Sequence, residues 1–83
     1  MTNKRLVYGV HVLGRMRRRG VTRQMVRDVM ARGAVGSAYN RKGSEPRQAK
    51  QLYFGRHELK VVYIERAEEI EFVTVEWTDY WKV

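Results

Sequence analysis

The sequence predicts an α+β fold in which two N-terminal helices pack on an antiparallel sheet of three to four strands. Two observations predict this class. Apolar residues recur with helical spacing as far as residue 33, and with the alternation of a strand beyond it. Each helix carries an apolar stripe, so both helices must cover one face of the sheet. The 83 residues fit a single domain, residues 1–83.

Residues 10–32 are the helical part, predicted as two helices joined by a short link. In the first helix three apolar residues share one side: Val12, Leu13 and Met16. Gly20 then ends the helix, because glycine readily adopts the left-handed conformation that often follows one. Thr22 offers a hydroxyl that can cap the second helix. That helix ends at Gly33 and has an apolar stripe of Met25, Val26, Val29 and Met30.

The remainder of the chain is typical of strands separated by turns. Residues 34–40 are a short strand candidate, and residues 41–49 form a loop marked by the only proline, Pro46. Three further strands are rich in β-branched and aromatic residues, at 51–55, 58–65 and 70–77. The segments between these strands are short enough to be hairpin turns.

Charge is distributed unevenly along the chain. The 17 Lys and Arg residues outnumber the nine Asp and Glu residues, which gives a net charge of +8. Residues 1–50 hold thirteen basic and two acidic residues, whereas residues 51–83 hold four basic and seven acidic ones. A half-molecule with this excess of positive charge favours a nucleic-acid backbone as partner through counterion release. The alternative is a solvated arginine surface that has no partner.

The composition excludes several kinds of site. The chain has no cysteine, which excludes disulfides, thiol catalysis and zinc sites with cysteine ligands. Two histidines leave little for any other metal site, so we expect no metal and no cofactor. No apolar run approaches the roughly 18 residues of a membrane span, and the N-terminus lacks the apolar segment of a signal peptide. We therefore expect a cytoplasmic protein that does not bind membranes.

The first helix carries the main candidate for a catalytic site. His11, Arg15 and Arg19 are spaced by four residues and form one stripe, roughly opposite the apolar side of the helix. Histidine can act as general acid or base near neutral pH, and arginines can hold a phosphate bidentately and stabilise transition-state charge. This combination suits RNA cleavage by the adjacent 2′-hydroxyl. The alternative is a solvated basic helix in which His11 packs locally.

Two further acid or base candidates lie on the predicted sheet. His57 follows a strand and is a candidate second acid or base, with an exposed turn histidine as the alternative. Glu76 is a candidate carboxylate base, with a solvated strand end as the alternative. The alternation of the last strand predicts that Glu76 shares its face with Ile70, Phe72 and Thr74.

Residues that can hold RNA without reacting are spread over the chain. Candidate phosphate contacts on the helix, the loop and a strand are Arg18, Arg41, Lys42, Arg47 and Lys60. Aromatic residues that can stack on unpaired bases are Tyr53, Tyr63, Trp77, Tyr80 and Trp81. The alternative for most of these aromatic residues is packing in the core or at a sheet edge.

Seven residues near the N-terminus form a distinctive pattern: His11, Arg15, Met16, Arg19, Gly20, Val21 and Thr22. This pattern resembles the opening signature of domain of unknown function family 4258. The predicted strands follow in the family's order, so the resemblance covers residues 6–77. Two positions depart from the pattern, since Val12 replaces a common alanine and Gly14 replaces a longer residue inside the helix.

The resemblance implies a RelE-like toxin fold within the wider group of barnase-like, metal-independent ribonucleases. It implies an endoribonuclease that serves as the toxin of a toxin–antitoxin or related conflict system. RNA, including ribosome-bound mRNA, would be the substrate, and an acidic antitoxin or immunity protein would bind the basic half. Two alternatives stay open, namely a non-catalytic RNA- or DNA-binding module and an interaction domain for an acidic protein.

Overall fold

The computed structural model describes residues 4–79 and combines two helices with one sheet of five strands. The elements are β1 (Arg5–Tyr8), α1 (Val10–Arg19), α2 (Arg23–Arg32), β2 (Ala34–Gly36), β3 (Gln48–Phe54), β4 (His57–Glu65) and β5 (Glu69–Trp77). The strands lie in the order β1-β5-β4-β3-β2, so the first strand pairs with the last. The predicted α+β class, with two helices packed on a sheet, is confirmed.

The sheet differs from the predicted antiparallel sheet of three to four strands, because it has a fifth strand and is mixed. β1 precedes the helices and pairs in parallel with β5, with Tyr8 opposite Phe72. An ion pair of 2.5 Å between Arg5 and Glu69 joins the same two strands. A segment of four residues is too short to show a strand period, and its partner lies about sixty residues away in sequence. The sequence pattern therefore gave no signal for β1.

The two helices begin and end as the sequence predicts. Gly20 has a φ of 67°, and its backbone N–H donates to the carbonyl of Met16 at the end of α1. The Thr22 hydroxyl accepts a hydrogen bond of 3.1 Å from the backbone N–H of Met25 at the start of α2. The link between the helices is thus determined by local residues. Neither helix of the described part of the chain is long and apolar enough to cross a membrane.

The core lies between the helices and one face of the sheet. Its fully buried members come from both helices and from the central strands: Val12, Val26, Val29, Leu59, Val61 and Val75. α1 packs on β5, whereas α2 packs on β3 and β4. The exposed side chains of α1 are therefore positioned near β5, and those of α2 near β3 and β4.

A β-bulge changes which residues of β5 face the helices. Val62 lies opposite Thr74 and Tyr63 lies opposite Phe72, so Val73 is an extra residue in β5. Because of this shift, both Phe72 and Val75 are buried in the core. The prediction that Glu76 shares a face with Phe72 is therefore wrong, since simple alternation does not continue through a bulge.

β2, the edge strand next to β3, is shorter than predicted, whereas β3 starts earlier than predicted. β2 ends at Gly36 rather than at residue 40, and β3 begins at Gln48 rather than at residue 51. Pairing of Gln48 with Tyr63 of β4 extends β3 into the predicted loop. Residues 37–47 remain as the loop between β2 and β3, and we refer to this loop as the flap.

Substitution by alanine is expected to have opposite effects on stability at Gly14, inside α1, and at Gly20, which follows the last residue of α1. No neighbouring atom lies within 4 Å of a Cβ placed on Gly14, so Gly14→Ala should stabilise the fold by about 1 kcal/mol. At Gly20 the positive φ disfavours any Cβ, so Gly20→Ala should destabilise by about 1–2 kcal/mol. Chemical denaturation measures both effects. A shift of the two midpoints in the same direction would contradict this account of α1.

Candidate functional site

The three residues of the predicted catalytic stripe share α1 but not one environment. His11 is exposed in the first turn of α1. The Arg15 guanidinium donates a 2.8 Å hydrogen bond to the hydroxyl of Thr74, and the Arg19 guanidinium donates to the carbonyl of Val75. The structure therefore places His11 at the surface and directs both arginines towards β5.

The stripe borders the buried side of α1 instead of lying opposite to it. Arg15 directly precedes the buried Met16, and Arg19 follows Met16 by three residues, which is nearly one helical turn. β1 pairs with β5 only as far as Phe72, so the backbone of β5 beyond that point lacks a neighbouring strand on this side. The Arg19 side chain donates to the carbonyl of the buried Val75 there, and the indole N–H of Trp77 donates to the carbonyl of Arg19 at 2.8 Å. These contacts attach α1 to β5.

A cleft of about 210 Å³ opens where β1 ends and α1 begins. Its polar side chains come from three separate elements, since His11 belongs to α1, Arg47 to the flap and Glu71 to β5. The rest of the lining is backbone or apolar and consists of Gly9, Val10, Val12, Ile64, Phe72 and Val73. The cleft thus brings together a histidine, a carboxylate and a guanidinium.

These three groups have complementary chemistry. Histidine and glutamate can each accept or deliver a proton, and a guanidinium can bind the oxygens of a phosphate. The sequence predicted roles for His11 and Arg47 but not for Glu71. Glu71 is one of four glutamates between residues 65 and 71, and only its place in the cleft lining distinguishes it from the others.

Arg66 connects the flap to the carboxylate of the cleft. Its guanidinium binds both oxygens of Glu45 at 2.9 and 2.6 Å, and it also lies 3.0 Å from a carboxylate oxygen of Glu71. The hydrogen bond from Arg66 lowers the pKa of Glu45, which favours the charged form of this carboxylate. Hydrogen bonding from Arg5 lowers the pKa of Glu69, which also binds Arg66. Arg66 is therefore surrounded by charged carboxylates.

The second predicted histidine lies at the opposite end of β5. The His57 ring is 6.2 Å from the ring of Trp77, and its Nδ1 is 3.3 Å from a carboxylate oxygen of Asp79. The cleft of His11 includes Val73, and the four residue-to-residue steps from Val73 to Trp77 span roughly 13 Å of strand. The structure therefore does not bring His57 to His11, and the two-histidine arrangement is not formed.

The other predicted strand residues also lie away from the cleft. Glu76 lies opposite Lys60 on neighbouring strands, towards the same end of the sheet as His57. Tyr63 is buried, its hydroxyl is 3.3 Å from the Gln48 side chain, and burial raises its pKa. The structure offers no free ring face at Tyr63 for a base. Tyr80 and Trp81 lie outside the described residues.

The arginines of the two helices have no carboxylate partner within residues 4–79. These seven helical arginines are Arg15, Arg17, Arg18, Arg19, Arg23, Arg27 and Arg32. The only acidic residue of the helices, Asp28, accepts a 3.0 Å hydrogen bond from Gln24 instead. Three cations of the flap, Arg41, Lys42 and Arg47, are exposed and likewise unpaired in the part of the chain that the structure describes. Positive charge is thus left unneutralised on the helices and on the flap.

Comparison with known proteins yields no match to a family model, to a curated protein or to a solved structure. The resemblance to domain of unknown function family 4258 therefore stays a prediction from the sequence.

The contacts of α1 with β5 predict different effects for two neighbouring arginines. Arg19→Ala removes a hydrogen bond to the Val75 carbonyl of β5 and should lower the free energy of unfolding by about 1 kcal/mol. Arg18→Ala is the matched control, because Arg18 is exposed and has no ion pair with any residue between 4 and 79, and it should change stability by less than about 0.5 kcal/mol. Thermal or chemical denaturation compares the two. Equal stabilities of the two variants would contradict an anchoring role for Arg19.

Proposed function

We propose that this protein binds RNA, chiefly through phosphate contacts of the helical arginines and of the flap cations. The observation that carries this proposal is the set of seven helical arginines without a carboxylate partner within residues 4–79. Cations held close together repel one another, and the two helices hold a single acidic residue, Asp28, against seven arginines. A polyanion relieves it and gains entropy from the counterions that both partners release.

The RNA contacts should show in the salt dependence of binding. On a single strand, each lost phosphate contact should reduce the slope of log K against log salt by about 0.7. The variant Arg17→Gln/Arg18→Gln changes two exposed arginines of α1, so its slope should be less steep by about 1.4. Arg5→Gln is the control, because Arg5 is already paired with Glu69, and its slope should match that of the unaltered protein.

Titration of labelled RNA at several salt concentrations gives the slopes. A slope near zero for the unaltered protein would contradict phosphate binding. An unchanged slope in the double variant would show that α1 is not the binding surface.

A second function, metal-independent cleavage of the bound RNA, is favoured by the convergence of His11, Glu71 and Arg47 in one cleft. One of the two acid/base groups takes the proton of the 2′-hydroxyl, and the 2′-oxygen forms a bond to phosphorus. The bond from phosphorus to the 5′-oxygen breaks, and the other group delivers a proton to that oxygen. The products are a 2′,3′-cyclic phosphate and a 5′-hydroxyl.

The arginines have separate roles in this scheme. Arg47 lines the cleft and can stabilise the charge that develops on the non-bridging phosphate oxygens. Arg15 and Arg19 bind β5, so they position α1, and with it His11, rather than contact the phosphate. The sequence resemblance implies that this protein is a ribonuclease toxin, and that role would depend on this cleavage.

Cleavage should depend on the two acid/base groups of the cleft. His11→Ala and Glu71→Gln should each reduce the rate of RNA cleavage by about 10²–10⁴-fold, because each removes a proton-transfer group. The matched controls His57→Ala and Glu76→Gln alter the same residue types at the other end of the sheet and should leave the rate nearly unchanged.

The assay incubates RNA with the purified protein and a chelator and detects 2′,3′-cyclic phosphate ends. Absence of cleavage by the unaltered protein, with or without ribosomes, would leave RNA binding as the function. Equal activity of the unaltered protein and His11→Ala would place catalysis outside the cleft.

A further inference from the structure

The flap is held in shape by its own hydrogen bonds. The Asn40 side-chain oxygen accepts a 2.6 Å hydrogen bond from the backbone N–H of Arg47, which closes the loop across its base. Within the loop, the N–H of Ser44 donates to the carbonyl of Arg41 at 3.0 Å, around Gly43 with a φ of 87°. The flap therefore presents its side chains from a defined backbone rather than from an unstructured segment.

A side-chain latch ties the flap to the β4–β5 turn. Glu45, the only acidic residue of the flap, forms a two-fold contact with the guanidinium of Arg66. This contact joins the far part of the flap to the residue that also binds Glu71 of the cleft. The latch thus places the only acidic side chain of the flap in an ion pair with Arg66 and holds the loop beside the cleft.

An exposed aromatic ring stands next to the flap cations. Tyr39 is 79% exposed and has no aromatic or cationic partner among the described residues. Arg41 and Lys42 follow it closely in the chain and are also exposed. An aromatic face flanked by cations suits unpaired nucleotides, because the ring stacks on a base while the cations bind the backbone.

Tyr39 also lies close to the cleft. The side chain of its neighbour Asn40 contacts the backbone of Arg47, so the Cα atoms of residues 39 and 47 are at most about 11 Å apart. Arg47 lines the cleft. A strand with one phosphate at Arg47 can therefore place a neighbouring base on Tyr39.

We propose that the flap is a clamp for single-stranded RNA, in which Tyr39 stacks on an unpaired base and Arg41 and Lys42 hold the adjacent phosphates. This inference rests on the proposed RNA binding and adds a preference for unpaired nucleotides. Bases within a duplex are already stacked on one another and cannot reach a protein ring without unpairing. The helical arginines, in contrast, contact phosphates of single strands and duplexes alike.

The test compares the affinity of the full chain for two labelled RNAs at one salt concentration. One probe is an unstructured single strand of about 12 nucleotides, within the range of site sizes of small single-strand-binding folds. The other probe is the duplex of the same sequence. Tyr39→Ala should weaken binding of the single strand by about 5- to 150-fold and leave duplex binding unchanged.

Two further variants isolate the stacking contact. Tyr39→Phe keeps the ring and should retain single-strand affinity. Tyr53→Ala is the matched control, because Tyr53 is 64% exposed but lies on β3 opposite Glu58, away from the flap. An equal loss for both probes, an equal loss in Tyr53→Ala, or no loss in Tyr39→Ala would overturn the clamp. Failure of the unaltered protein to bind either RNA would instead overturn the proposed function.

Loss of the latch is expected to weaken RNA binding, whereas loss of the Glu45 charge alone would strengthen it. Glu45→Gln removes a negative charge beside the flap cations, which by itself strengthens phosphate binding. Loss of the contact with Arg66 should nevertheless weaken single-strand binding by about 2- to 5-fold, because the flap is no longer held beside the cleft. Glu68→Gln, an exposed glutamate without an ion pair in the described residues, is the charge control. Binding by Glu45→Gln as tight as by Glu68→Gln would overturn the role of the latch.

Discussion

The parallel pairing of β1 with β5 is the contact on which the position of the cleft depends. The Tyr8 and Phe72 rings lie 4.8 Å apart across these strands, and the guanidinium of Arg23 lies 4.8 Å from the Tyr8 ring. α1 begins two residues after β1, so its first turn is fixed beside β5. The end of β1 and the bulge at Val73 then leave a gap in the sheet edge, and His11 lies beside this gap. The cleft therefore forms because the short strand β1 ends at Tyr8.

The acidic residues are concentrated where they hold the first strand and the flap. Lys4, Arg5 and Arg66 pair with carboxylates at or near the β4–β5 turn. Surface ion pairs of this kind contribute little individually, but their location leaves the helices without acidic partners. The uneven charge along the sequence thus becomes a separation in space. Ion pairs lie at one end of the sheet, and the arginines of the helices have no carboxylate partner within residues 4–79.

The features that the sequence predicted are those with local causes. Gly20 and Thr22 determine the helix ends through contacts within a few residues, and the helix boundaries follow from them. β1 and the bulge depend on partners distant in the sequence, so no local pattern indicates them. The site divides in the same way. Residue type and spacing made His11 and Arg47 candidates, whereas the place of Glu71 in the cleft follows from strand register.

Arg66 makes the arrangement of the flap and that of the cleft interdependent. One guanidinium binds Glu45 of the flap, Glu69 of the turn and Glu71 of the cleft, so movement of the flap alters the environment of the cleft carboxylate. In the proposed complex, an RNA phosphate near Arg47 would bring negative charge towards these carboxylates, and the positive charge of Arg66 would reduce the resulting repulsion. Arg66 therefore connects a binding element to an acid/base candidate without itself lining the cleft.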